Sequence, residues 1–232
     1  MNWFSGIDLR IFFRDLGILA LIFLFWWFPL LYPLQLLSTF FHEVGHALGA
    51  VLTGGTVIRI EIAPDTSGLC IASADCDTFI FCSAGYLGSV ILGGVLLVLT
   101  RKRSWAPWVA SFIGLLMIGV ALLWIRPLGG FGFTYAVVFG MFWLLVAVLF
   151  RHQRKLHLAL HFVSLVICFD AVLSTMATTI PHLETDAVIL GRETNTPPML
   201  WAIIWTTASF TMGLLFLLMA SSDSFERKKR AE

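Results

Sequence analysis

Charge is what this chain has least of. Only 12% of its 232 residues are Asp, Glu, Lys or Arg and 59% are hydrophobic, whereas an ordinary soluble domain carries roughly 25% charged residues. That shortage excludes a water-soluble globule. A formal net charge of +1, with the basic residues in short clusters between apolar runs, also excludes a continuous basic face, so no nucleic-acid partner is expected. Cysteine is scarce as well: Cys70, Cys76, Cys82 and Cys168 form no CxxC pair and no zinc-finger spacing. They read as small packing residues, with a Cys70–Cys82 or Cys76–Cys82 disulfide open if that loop faces an oxidising compartment. No small-x-small cleavage site follows the apolar run from Gly17 to Tyr32, which therefore reads as an uncleaved anchor. No internal repeat and no second domain stand out, so residues 1–232 read as one integral-membrane domain.

What fills the chain instead is a series of long apolar runs. They predict an all-α polytopic membrane protein, a bundle of about six to seven transmembrane helices in the lipid bilayer with a small β-hairpin after the second run. Residues 1–15 mix aromatics with Asp8, Arg10 and Arg14 and suit an interfacial segment. Spans are expected at about 16–33, 34–52, 79–100, 105–125, 130–150, 156–178 and 199–220, with a polar loop near 180–198 and a basic tail at 221–232. From Thr56 to Ser73 the apolar residues alternate as Val57, Ile58, Ile60, Ile62, then Leu69, Ile71 around Pro64-Asp65-Thr66-Ser67-Gly68, the pattern of a hairpin. Cytoplasmic loops are enriched in Lys and Arg. Placing 101–103, 151–155 and 227–230 inside gathers ten of the fifteen Lys and Arg there and makes the C-terminus cytoplasmic. Seven full crossings then put Arg10 and Arg14 outside, against the same rule, so either the first two helices do not both cross or one span is miscounted.

The second apolar run contains His42-Glu43-Val44-Gly45-His46. Positions i and i+4 lie one above the other on a helix, so both imidazoles can grip one metal ion. Glu43 falls on a neighbouring flank, where its carboxylate reaches a water at the metal without being a ligand. The bland alternative, two satisfied histidines with a charge partner, leaves a Glu in apolar surroundings with no purpose. A catalytic zinc takes three protein ligands, so the chain must supply one more. Asp170 lies inside the apolar run Phe162 to Leu173, where a lone ionised carboxylate costs at least about 2.5 kcal/mol. A metal removes that cost, and so does a polar partner on another helix. Asp65, Asp75, Asp77, Glu184 and Asp186 sit in polar stretches, where a solvated acid needs no explanation. His157 and His161 share the i, i+4 spacing, but His161 and Asp170 are about 180° apart around a helix, so the pair reads as interfacial histidines beside Arg151 to Lys155.

Four stretches together resemble a known family. Phe41-His42-Glu43-Val44-Gly45-His46-Ala47 is followed by Thr53-Gly54-Gly55 and the hairpin; then come Ala84-Gly85-Tyr86-Leu87-Gly88-Ser89, Phe169-Asp170-Ala171, and Thr185-Asp186-Ala187 with Trp201 and Trp205. This set resembles the site-2-protease clan of intramembrane zinc metallopeptidases, most closely its compact members without a PDZ domain. Two departures stand out: Phe-Asp-Ala replaces Leu-Asp-Gly around the metal acid, and Tyr86 and Ser89 replace the Pro and Asn of Gly-Pro-x-x-Asn. The first leaves a ligand available; the second removes an Asn able to pair with substrate backbone.

The resemblance implies an intramembrane zinc metalloprotease with one Zn2+ per chain, held by His42, His46 and Asp170, and with Glu43 as the general base. It implies that the hairpin offers an edge strand bearing Ile58, Ile60 and Ile62 to an extended segment of a membrane-protein or peptide substrate. The expected location is the cell membrane. Two other classes share these features: a catalytically silent adaptor of the same fold, and a metal or solute transporter, against which stands the lack of duplicated halves.

Overall fold

Asp8 opens the first helix by accepting from the backbone N–H of Arg10 and Ile11. This helix, α1 (Leu9–Leu24), is followed by a 3-10 turn (Pro29–Leu31), α2 (Tyr32–Leu52), β1 (Val57–Ile62), β2 (Gly68–Ala72) and α3 (Thr78–Leu99). After a second short turn come α4 (Ala106–Leu123), α5 (Phe131–Leu149), α6 (Arg154–Ala177), α7 (Asp186–Thr194) and α8 (Pro198–Ala220). This computed structural model describes residues 6–151, 153–177 and 185–222. The start of the expected interfacial segment, the bulk of the expected basic tail and Glu184 lie outside the described residues. No helix boundary separates an interfacial segment from a span at residue 15, since α1 runs unbroken from Leu9. The stretch expected as a polar loop near 180–198 contains α7.

Five helices, α3, α4, α5, α6 and α8, are each long and apolar enough to cross a membrane. Helices α1 and α2 meet that test only as a pair bent by 113°, so the seven separate spans become six at most among the described residues. Proline explains the bend: Pro29 and Pro33 sit in the first turns of successive helices, and neither has an N–H to carry the α1 ladder onward. The Gln35 amide donates to the Trp26 carbonyl at 2.6 Å, satisfying a backbone group at the break.

Hydrogen bonds show where the bent pair begins and ends. Asp8 N–H donates to the Ser221 carbonyl, and Arg101, just past α3, donates to the Met219 carbonyl. At the other end of α3, Asp77 N–H donates to Thr53 Oγ1, just past α2. The pair therefore runs from one end of α3 to the other, as one broken span would. Counted as six spans, the helices put both described chain ends on one side. Among the described residues, Arg10, Arg14, Arg101, Lys102, Arg103, Arg151, Arg154 and Lys155 flank that side, and only Arg59, Arg126 and Arg192 flank the other. The conflict over Arg10 and Arg14 disappears.

The expectation for His161 also changes. It is buried, with Nε2 3.0 Å from Asp15 Oδ2, and Asp15 in turn accepts from Arg14. This polar group ties α1 to α6, because an acid buried among apolar helices needs such partners. All four cysteines are free thiols.

Helices α2 and α3 touch through small residues. A Cβ on Gly45 would fall on the Ala84 carbonyl, and one on Gly49 would lie 2.8 Å from Ala84 Cβ. The absent side chains let the two backbones meet, as small residues do between membrane helices. The hairpin leans against α2: Thr39 Oγ1 donates to the Thr66 carbonyl at 2.7 Å and the Tyr32 hydroxyl donates to the Pro64 carbonyl. Its turn includes Thr66 at φ +71°. Gly45→Ala should force α2 from α3 at a cost of about 1–3 kcal/mol, the range for overpacking. A lower melting temperature of the purified protein in detergent checks this.

Candidate metal centre and active site

One turn of α2 separates His42 from His46 and brings their side chains together, with Nε2 atoms 3.0 Å apart. The Asp186 carboxylate, from the first residue of α7, places Oδ2 3.7 Å from His42 Nε2 and 3.5 Å from His46 Nε2. Among the described residues these three offer one ligand atom each within 4.8 Å of one another. Zinc bonds of about 2.0–2.2 Å in a tetrahedron set ligand atoms roughly 3.3 Å apart, so the spacing suits that ion. The tautomer suits it too. His46 Nδ1 lies 2.8 Å from the Phe81 carbonyl, which only accepts, so Nδ1 carries the hydrogen and the Nε2 lone pair faces the other ligands.

Glu43 is buried to 3% exposure, and its Oε2 has no hydrogen-bond partner. A buried carboxylate oxygen left unpaired costs stability and calls for an explanation. Here it borders a cavity of about 280 Å3 shared with His42, His46 and Asp186, so a proton or a water has a defined place to bind. The other Glu43 oxygen lies against Gly68 of β2, where any Cβ would overlap it. On the opposite side, a Cβ on Gly85 of α3 would fall on the His46 ring and lie 2.7 Å from His42 Cε1. Glycine at these two positions lets backbone close over the group from both sides.

Asp170, the acid expected as third ligand, lines the same cavity on α6 together with Ser174, but it is not among the three groups brought within 4.8 Å. Asp186 is the acid in that group. Burial by itself works against charge on Asp186, yet the adjacent His46 and His42 outweigh it and hold the carboxyl well below the usual carboxylate range. The reading of Asp186 as a solvated acid in a polar stretch is thereby corrected. The only signal for it in the sequence was the Thr185-Asp186-Ala187 stretch in the resemblance.

The hairpin edge also differs from expectation. Ile60 N–H donates to the Trp124 carbonyl at 2.8 Å, and Ile60 C=O accepts from Arg126 N–H at 3.0 Å. The Ile60 and Ile62 side chains are buried in the core, and Ile58 is exposed. The outer edge of β1 is therefore occupied at Ile60. Cross-strand pairing alternates between bonded and non-bonded pairs. Ile60 pairs with Cys70 and Ile62 with Gly68, so the backbone groups of Gly68 and Cys70 point away from β1. That edge of β2 has no strand beside it among the described residues, and both residues line the cavity. Burial, with Glu43 nearby, pushes the Cys70 thiol up to about 12, which keeps it neutral.

Residues 16–217 match the family model described as Peptidase M50B-like. The chain belongs to that family. Membership in the M50B-like peptidases covers all of α2, the hairpin, α3 and α7, and it implies a metallopeptidase whose family typically uses zinc. No curated protein and no solved structure matches the chain.

Since Gly85 leaves no room for a side chain beside either imidazole, Gly85→Ala should displace the rings and lower bound zinc at least tenfold while the helical bundle persists. Elemental analysis beside circular dichroism of the same sample checks both halves.

Proposed function

We propose that this M50B-like peptidase is an intramembrane zinc endopeptidase that hydrolyses peptide bonds of membrane-embedded or membrane-proximal substrates. His42, His46 and Asp186 would hold the ion, with Asp170 on the cavity wall as the other acid within reach. The observation that carries this reading is Glu43 Oε2, buried without a partner beside two histidines whose Nε2 atoms lie 3.0 Å apart. Zinc in such a site supplies Lewis-acid polarisation of a carbonyl and acidifies water.

The rest falls to the chain. Glu43 takes a proton at Oε2 as a water oxygen bonds to the peptide carbon, then delivers it to the amine nitrogen as the C–N bond breaks. A helical peptide is shielded by its own hydrogen bonds, so the scissile segment must be extended first. The free edge of β2 at Gly68 and Cys70 offers backbone donors and acceptors to such a segment directly beside Glu43, which supports strand addition there. Eight basic residues flanking one side support placing both chain ends in the cytoplasm, in the cell membrane.

Glu43→Gln should keep its zinc and lose cleavage by at least about a hundredfold, the scale of a lost general base. Turnover of a membrane-protein substrate, measured with zinc content on the same preparation, tests this; undiminished cleavage removes Glu43 from the chemistry. For the edge, Cys70→Pro deletes a donor that the β1–β2 ladder does not use, and it should slow cleavage at least tenfold where Cys70→Ala does not. Equal rates for the two variants, in a kinetic assay with saturating zinc, would rule out pairing at this position.

A further inference from the structure

Three side chains of α2 meet the hairpin in register with it. Tyr32, Thr39 and Glu43 fall within about 40° of one another around the helix, so they form one stripe along it. Against that stripe lie alternate residues of the turn and β2. The Pro64 carbonyl accepts from the Tyr32 hydroxyl, the Thr66 carbonyl accepts from Thr39 Oγ1 at 2.7 Å, and Gly68 lies against the Glu43 carboxylate, where a Cβ would overlap Oε1. From Thr39 to Glu43 the helix rises about 6 Å. The two residues from Thr66 to Gly68 span at most about 7 Å. A chain held at Thr66 therefore has almost no slack to carry Gly68 further along α2 than Glu43.

The Thr39 hydroxyl makes that hold. A threonine inside a helix ordinarily gives its single hydroxyl hydrogen to the carbonyl four residues back. Here that carbonyl, Gln35, is 3.2 Å away and Thr66 is nearer at 2.7 Å, so the hydrogen goes to the hairpin. The Thr39 methyl supports the same contact, since a Cβ on Gly68 would stand 2.8 Å from it. Thr39 lines the cavity together with Glu43, Gly68 and Cys70. The β1 side of the hairpin is tied at Ile60 to Trp124 and Arg126, whereas the turn leading into β2 is tied to α2.

We infer that Thr39 is a positioning residue for peptide-bond hydrolysis: by holding the Thr66 carbonyl it sets the height of the open β2 edge beside Glu43, and with it the place of a paired substrate's scissile carbonyl. This rests on the strand addition proposed above. Thr39 acts through the hairpin, not on the reacting atoms.

The test is steady-state kinetics on full-length protein in detergent, with a membrane-protein substrate and saturating zinc. Thr39→Val keeps the shape and a methyl and removes the hydroxyl. It should lower kcat about 10–100-fold, the scale of a misplacement near 1 Å, while zinc content is unchanged and KM moves less than about threefold. Thr39→Ser keeps the hydroxyl and should stay within about threefold of the wild-type kcat. In a Cys70→Pro background, where the edge is already impaired, Thr39→Val should cost no more than about twofold. Wild-type kcat in Thr39→Val overturns the inference, and so does zinc loss in step with kcat, an equal loss in Thr39→Ser, or the full loss repeated in the Cys70→Pro background. Cleavage by Cys70→Pro as fast as by Cys70→Ala instead overturns the strand addition on which it rests.

Discussion

The contact between α2 and α3 is the constraint from which the site follows. Because Gly45 and Gly49 carry no side chain, the α3 backbone comes close enough for the Phe81 carbonyl to accept from His46 Nδ1. That single bond determines which His46 nitrogen faces the ligand group. The same approach lays Gly85 against both imidazoles and brings Tyr86 to the edge of His42. A bulkier contact would change histidine tautomer, ring rotation and cavity shape together, although none of the residues in the contact is chemical.

What could be read from the sequence was what depends on near neighbours. His42, Glu43 and His46 are one helical turn apart, so their relation follows from helix geometry alone. The hairpin was legible from its alternation and its Pro/Gly turn. The bend between α1 and α2 was not, because Pro29 and Pro33 mark a break but do not say whether the chain reverses or continues through the bilayer. The sidedness contacts of Asp8 and Thr53 decide that, and they join distant segments.

The misread positions share one cause. Asp186, with polar residues around it in sequence, is indistinguishable from a solvated acid until α7 docks on α3. His161, close to a basic cluster, reads as interfacial until Asp15 arrives from α1. Ile60 has the alternation of an exposed edge, yet the segment from Trp124 to Arg126 covers it and leaves the open edge to β2. In each case burial is conferred by an element more than 20 residues away, and solvation is a property of the fold, not of the local residues.

His42, His46, Glu43 and the open strand edge all lie between Tyr32 and Ala72, in α2 and the hairpin that leans on it. These groups all fall within the first third of the chain. Either acid able to complete the group, Asp170 or Asp186, belongs to the last third of the chain. A polypeptide made from its N-terminus therefore contains Glu43 and both imidazoles well before either acid is synthesised. Until α6 and α7 are in place, the candidate group has two imidazoles but no acid to close it, so its completion waits on the last third of the chain.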